Sequence, residues 1–256
     1  VLVAIPAVAT VLVLNWAGGL TWTLALLGMG CVCLYEFYKL NRLRLSVQVI
    51  GFMALAVLLL ATHYTSQRLL VLPVGVALIV PLFAMNGSQP ATQDGTQIMT
   101  TVMLSLFWIG FCLSQAILLR QLPHGELAVI DVLAGTFLGD TGAYLGGRAF
   151  GRHKLAPRIS PNKTIEGLLV GMVVAITAVY LLSLFESWIT TGQALLLGLG
   201  VAVVAPIGDL FESSVKRKLG AKDSGRFFGA HGGALDRIDA ALFAAVAGYY
   251  IWQACV

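Results

Sequence analysis

The chain has 256 residues, 58% of them hydrophobic and 11% charged, with a formal net charge of +4. A soluble domain carries about a quarter charged residues, so an ordinary soluble enzyme is excluded. Apolar runs of about 20 residues recur along the whole length, which also excludes a soluble domain on a single anchor. The runs are continuously apolar rather than alternating, which argues against a β-barrel and for an all-α integral membrane protein.

The apolar windows predict about nine transmembrane helices, at roughly 1–16, 20–38, 45–62, 69–85, 100–119, 126–146, 165–185, 193–211 and 238–255. The loops after the second, fourth, sixth and eighth spans hold fourteen of the 16 Lys and Arg residues. By the positive-inside rule the N-terminus is then cytoplasmic and the C-terminus outside. The chain opens at Val1 with no Met and no basic leader, from which a trimmed or partly ordered N-terminus is expected. Residues 1–16 are read as a span and not as a cleaved signal peptide. Cys31, Cys33, Cys112 and Cys255 all fall in apolar runs without His or Asp at ligand spacing, and are read as packing thiols.

The first half, 1–125, is expected to be scaffold, with lipid contacts and the surface of a homodimer rich in small residues. At the end of the second span Glu36, Tyr38, Lys39, Arg42 and Arg44 form a cluster read as snorkelling side chains that meet lipid headgroups. His63 and Arg68 cap the outer face in the same way. The segment 85–100 is read as a flexible connection, and its Asp94-Gly95 pair does not extend into the aspartate repeat of the CDP-alcohol phosphotransferases.

The chemistry is expected in 126–256, with cytoplasmic loops at 147–164 and 212–237. Asp131 and Asp140 lie inside the sixth span, where a carboxylate costs at least about 2.5 to 3.5 kcal/mol and needs a partner or a water-filled cavity. Asp140 is read as functional, with Tyr144 at i+4 on its face and Gly139, Gly142, Gly146 and Gly147 allowing close approach. Asp131, nearer the outer side, is read as a helix-packing group. The basic loop that follows ends in Ser160-Pro161-Asn162-Lys163-Thr164, with Glu166 in the first turn of the seventh span. This is an ordinary helix start, and its amides and Lys163 also suit a phosphate. It lacks the glycines of a Walker A loop.

In the eighth span Pro206 and Gly208 predict a kink just before Asp209. Asp209, Glu212, Ser213, Lys216 and Arg217 share one helical face. Beyond them come Lys222 and Asp223, a glycine-bearing turn with His231, and then Asp236 and Asp239 at the start of the ninth helix. Mg²⁺ takes oxygen ligands, commonly one or two carboxylates together with substrate phosphates. Asp209 with Asp236 or Asp239 would supply the carboxylates, and Lys216, Arg217, Lys222 and Arg237 would balance a polyphosphate. A solvated loop that binds anionic lipid is the plainer alternative.

At Ser213, Val215, Lys216, Arg217, Lys222, Asp223, Gly225, Phe228, His231, Gly232, Gly233, Asp236, Arg237, Ile238 and Asp239 the sequence closely resembles the phosphatidate cytidylyltransferase (CDP-diacylglycerol synthase) family. The resemblance extends to Gly208-Asp209-Leu210 with Glu212-Ser213, to Asp140 with Ala143-Tyr144, and to Ser160-Pro161 with Lys163-Thr164. The first half matches only in hydrophobic layout. Gly229-Ala230 departs from a usual Pro-Gly, and Ala234 from a larger apolar residue; neither removes a charge.

The resemblance implies metal-assisted nucleotidyl transfer from CTP to phosphatidate in the bilayer, giving CDP-diacylglycerol and pyrophosphate for phospholipid synthesis. It implies one or two Mg²⁺ ions, no nucleic-acid partner, and a bacterial inner membrane with the site facing the cytoplasm. Asp209 and Asp236 are then the first-choice metal ligands, with Asp239, Asp223 and Asp140 behind them. Lys163, Lys216, Arg217, Lys222 and Arg237 are the phosphate-binding groups, with Ser160, Thr164, Tyr144, Ser213, Gly232 and Gly233 lining the substrate. His231 orients by hydrogen bonding. A related CTP-dependent enzyme acting on another lipid phosphate or lipid alcohol, and an anion transporter, are the competing expectations.

Overall fold

The computed structural model describes residues 4–64, 95–225, 227, 229 and 232–256. The span expected at 69–85, Arg68, Asp94, Arg226 and His231 lie outside these residues. Among the described residues the helices are α1 (Ala4–Ala17), α2 (Gly19–Leu40), α3 (Leu45–Tyr64), a composite α4, α5 (Gly125–Phe150), α6 (Ile165–Ser183), α7 (Thr191–Lys218) and α8 (Leu235–Cys255). Composite α4 joins Gly95–Ser105 to Phe111–Gln121 through a π-helical turn at Leu106–Gly110. Seven of the eight are long and apolar enough to cross a membrane; α1 is shorter. The observed ends fall close to the expected windows, except that α7 runs on to Lys218 and so carries its charged face as helix rather than as loop.

One expectation needs correction. The segment 147–164 is not a plain loop: α5 continues to Phe150, and a small antiparallel hairpin follows, made of β1 (Lys154–Ala156) and β2 (Ser160–Thr164). Its strands are too short and too polar to show an alternating pattern. Pro206 sits inside α7, and the helix continues through it.

The described residues group into two compact units, 1–118 with 223–237 and 119–222 with 238–256. In the first, Gly30 lets Leu55 and Leu113 close over α2, where a methyl group would lie 2.7 Å from Leu113 Cδ1. Tyr38 is fully buried under Gly51 and exchanges a 2.9 Å hydrogen bond with Ser105, so it does not snorkel as expected. Cys33 and Cys112 are buried and every cysteine is free, as expected of packing thiols.

The second unit is built on a glycine seam. Gly135, Gly139, Gly142 and Gly146 of α5 recur at intervals of three or four, which puts them on one helical stripe. They face Val179, Ala175, Val174 and Val170 of α6. From the opposite side Gly167 packs on the Ala143 carbonyl and Gly171 on that of Gly139, so here the backbones themselves are in contact. Small residues at such a seam replace the hydrophobic effect, which does not drive helix association in lipid, with close van der Waals packing. Thr190 opens α7 with a capping box to Gln193, and Trp252 donates to Pro123 O at 2.8 Å.

Candidate active site

In the second unit the charged face of α7 gathers most of the polar residues singled out above. Gly208 is what permits it: a methyl group there would lie 2.7 Å from the Asp239 carbonyl and 3.0 Å from the Phe243 side chain, so α7 and α8 approach closely at this level. Asp239, on α8, lies within the field of Asp209 and Lys216. Glu212 is almost fully buried and accepts from Lys216 Nζ at 2.7 Å across one helical turn.

Asp209 is ion-paired with Lys163 of β2, and its other oxygen accepts from Ser213 Oγ at 3.4 Å. Asp140, on α5, lies within the field of both Asp209 and Lys163. It also lines a small, narrow cleft bounded by Gly139, Gly171, Ala175, Ala202 and Pro206. Five acidic and basic groups expected from sequence, Asp140, Lys163, Asp209, Lys216 and Asp239, are therefore brought together. Glu212, named then only as part of the helical face, joins them.

The hairpin is fastened beside this group. Glu166, in the first turn of α6, accepts from the backbone N–H groups of Arg152 and His153 and pairs with His153 Nδ1 at 2.6 Å. Thr164 caps α6 by accepting from Gly167 N at 3.1 Å, as the sequence predicts. Arg217 donates through Nε to Ile159 O at 3.2 Å and through Nη1 to Ala221 O at 3.0 Å, tying the end of α7 to the hairpin turn. Replacing Thr164 with Val is expected to lower stability by about 1 kcal/mol through the lost cap, read as a small fall in the thermal midpoint in detergent.

Tyr144 is exposed one turn along α5 from Asp140, and Ser160 pairs with Ala156 in the hairpin. Lys222 is exposed. Asp131 is fully buried, and among the described residues neither carboxylate oxygen finds a hydrogen bond, so the packing bond expected for it is not found there.

In the first unit the described residues of the signature segment from Asp223 onward are tied to one another. Asp236 accepts from Ser224 N at 3.0 Å and from Gly233 N at 2.8 Å, drawing the two ends of the loop together. Gly232 holds φ at +85°, a conformation that L side chains rarely adopt. Asp223 and Arg237 are exposed.

The residue that sequence reasoning misjudged is Glu36. It is 5% exposed and accepts from Ser224 Oγ at 3.2 Å, Phe227 N at 3.4 Å and Leu235 N at 3.2 Å. It is therefore a buried acceptor for the signature loop and not a snorkelling headgroup contact. The available signal was chemical type: among the cluster closing α2, Glu36 is the one acid, and a carboxylate near a span needs donors.

A profile of the cytidylyltransferase family matches residues 1–255. The chain belongs to the cytidylyltransferase family. Its curated relatives include a phosphatidate cytidylyltransferase of Brucella melitensis, 35% identical over 94% of this chain and 87% of that protein. One from Bacillus subtilis is 31% identical over 95% of this chain and 93% of that protein. An uncharacterised Escherichia coli protein, YnbB, is 38% identical over 59% of this chain and 54% of its own length. Membership in a family of nucleotidyltransferases sets aside the transporter alternative.

Proposed function

We propose that the protein is a CTP:phosphatidate cytidylyltransferase that makes CDP-diacylglycerol and pyrophosphate. The observation that carries this reading is likeness to phosphatidate cytidylyltransferases over nearly the whole chain, joined to a cluster of carboxylates and cations at the matching positions. A phosphate oxygen of phosphatidate attacks the α-phosphorus of CTP. The new P–O bond forms as the bond to the β-phosphate bridge breaks, and the electron pair leaves with pyrophosphate. The attacking group is already an anion, so the barrier lies in bringing like charges together and aligning them.

The residues fit a role for Mg²⁺. Asp209 and Asp239 lie within each other's field, with Glu212 one helical turn along α7 from Asp209, and they offer only oxygen donors. Among the described residues no three His, Cys, Asp or Glu side chains form a metal cage. Mg²⁺ is ordinarily held by one or two carboxylates plus substrate phosphates and water, so two carboxylates suffice. Asp209 and Asp239 would hold the ion, while for Asp236 and Asp223 it is the resemblance to the family signature that speaks for a ligand role. When bound, the metal offsets phosphate charge and polarises the α-phosphoryl oxygens.

Lys163 and Lys216, now paired with Asp209 and Glu212, are the cations positioned to accept phosphates, with Lys222, Arg217 and Arg237 supporting. The cleft beside Asp140 brings an apolar, small-residue surface up to the charged group, as a lipid-borne phosphate requires. The concentration of Lys and Arg in these loops supports a reaction on the cytoplasmic side, where CTP is available.

Purified protein given labelled CTP, phosphatidate and Mg²⁺ is expected to form labelled CDP-diacylglycerol with one pyrophosphate per turnover. Chelation with EDTA should lower the rate by roughly 10²-fold or more, reversibly on adding Mg²⁺. Product formed only from a different lipid phosphate or a lipid alcohol would assign the protein to the related CTP-dependent reaction instead.

A further inference from the structure

We infer that Glu36 is a positioning residue for the reaction: its buried carboxylate anchors the signature segment through Ser224, Phe227 and Leu235. This deepens the function proposed above and rests on it for its catalytic consequence. The carboxylate receives three donors spread across the loop, from Ser224 near its start, Phe227 in its middle and Leu235 at its end. Asp236 then closes the same loop from within, through Ser224 N and Gly233 N. Two acids thus hold one short, glycine-bearing segment, the buried Glu36 from α2 and the half-buried Asp236 from the segment itself. A carboxylate accepting several N–H and O–H donors in a buried site is a strong, directional anchor.

The same geometry explains residue choice within the signature. A methyl group on Gly225 would collide with Glu36 Oε1 and with its carboxyl carbon. One on Gly233 would meet Glu36 Oε2 at 2.5 Å, Gly225 N at 2.7 Å and the Ser224 hydroxyl. Gly225 is therefore small because Glu36 occupies its side-chain space, and Gly233 for that reason together with the backbone of the loop. The second glycine of the His-Gly-Gly triplet is in this sense a partner of an acid in the second helix. Lys222, Asp223, Asp236 and Arg237 lie on or next to the segment so held, and a shift of about 1 Å in such groups costs on the order of 100-fold in rate.

The test combines hydrogen exchange with a double-variant cycle on the full-length protein in detergent or nanodiscs. Glu36→Gln keeps the shape but presents an amide N–H to backbone donors. It is expected to raise amide exchange across 224–235 by at least roughly 10-fold, leave α5, α6 and α7 protected, and lower kcat on the order of 100-fold. Gly225→Ala alone is expected to lose a comparable factor. Added to Glu36→Ala it should lose less than about 3-fold more, because its collision partner is gone.

Unchanged loop exchange in Glu36→Gln, or fully multiplicative losses in the cycle, would overturn the inference. So would loss of protection throughout α5 to α7, which marks a global structural role. Exchange is read without substrate, so the loop effect in Glu36→Gln together with a wild-type protein that turns over no CTP with phosphatidate would refute the proposed reaction and leave the anchor standing.

Discussion

Asp209→Asn is expected to reduce CMP transfer by roughly 10² to 10³-fold in kcat, with insertion and folding retained. Asparagine preserves the volume and the ability to accept from Ser213, so the packing of α7 is unaltered. What disappears is the negative charge that Lys163 offsets from β2 and that Asp239 faces from α8. Lys163 is then released from its ion pair and still attracts phosphate, so KM for CTP should stay level or fall while kcat collapses. Lys163→Met should do the reverse and raise KM for CTP, because a cation is lost and the carboxylates are left unbalanced. The split between the two variants is the informative measurement. An Asp209→Asn protein with kcat within about 3-fold of wild type would remove Asp209 from the metal and phosphate machinery.

Gly167→Val is expected to be the most damaging packing change. At this point of the seam a methyl group would lie 2.6 Å from the Ala143 carbonyl oxygen and 2.9 Å from Gly147 Cα. These are backbone atoms on a neighbouring helix, so no rotamer change relieves the contact and α6 must move away from α5. Overpacking costs about 1 to 3 kcal/mol where side chains can yield, and the upper end or more applies here. The thermal midpoint in detergent should drop by roughly 6 to 12 °C. Displacement of α6 also carries Thr164 and the hairpin away from α7, so activity should fall with stability. Gly28→Ala is the matched control, with nothing within 4 Å of the new methyl group. It should be neutral or slightly stabilising, as helix propensity alone predicts. Equal midpoints for the two variants would show that the seam does not hold the unit together.

The legible part of this site was the part made of charge against an apolar background. Asp140, Lys163, Asp209, Lys216 and Asp239 stood out because ionisable groups near membrane depth are costly, and i, i+3, i+4 spacing placed several on one helical face. The close approach of α7 to α8 was not legible, because Gly208 reads only as a point of flexibility until a facing carbonyl is seen. Nor was the hairpin, whose two strands are short and polar. Glu36 was misread for a different reason. Its partners are mostly backbone amides, which carry no side-chain signature, and they lie 188 to 199 residues away.

That separation bears on how the protein is made. Glu36 enters the membrane with α2 early in synthesis, whereas Ser224, Phe227 and Leu235 emerge only after nearly the whole remaining chain. At about 5 to 20 residues per second, the interval is roughly 10 to 40 s. Through that time the acid has none of these three native donors, and the unit to which it belongs lacks its closing segment. The signature segment thus brings, late in synthesis, the donors that surround an acid made early. A nascent chain that stops short of Leu235 leaves a carboxylate without its partners, a defect by which the cell's membrane quality control could distinguish it from the finished protein.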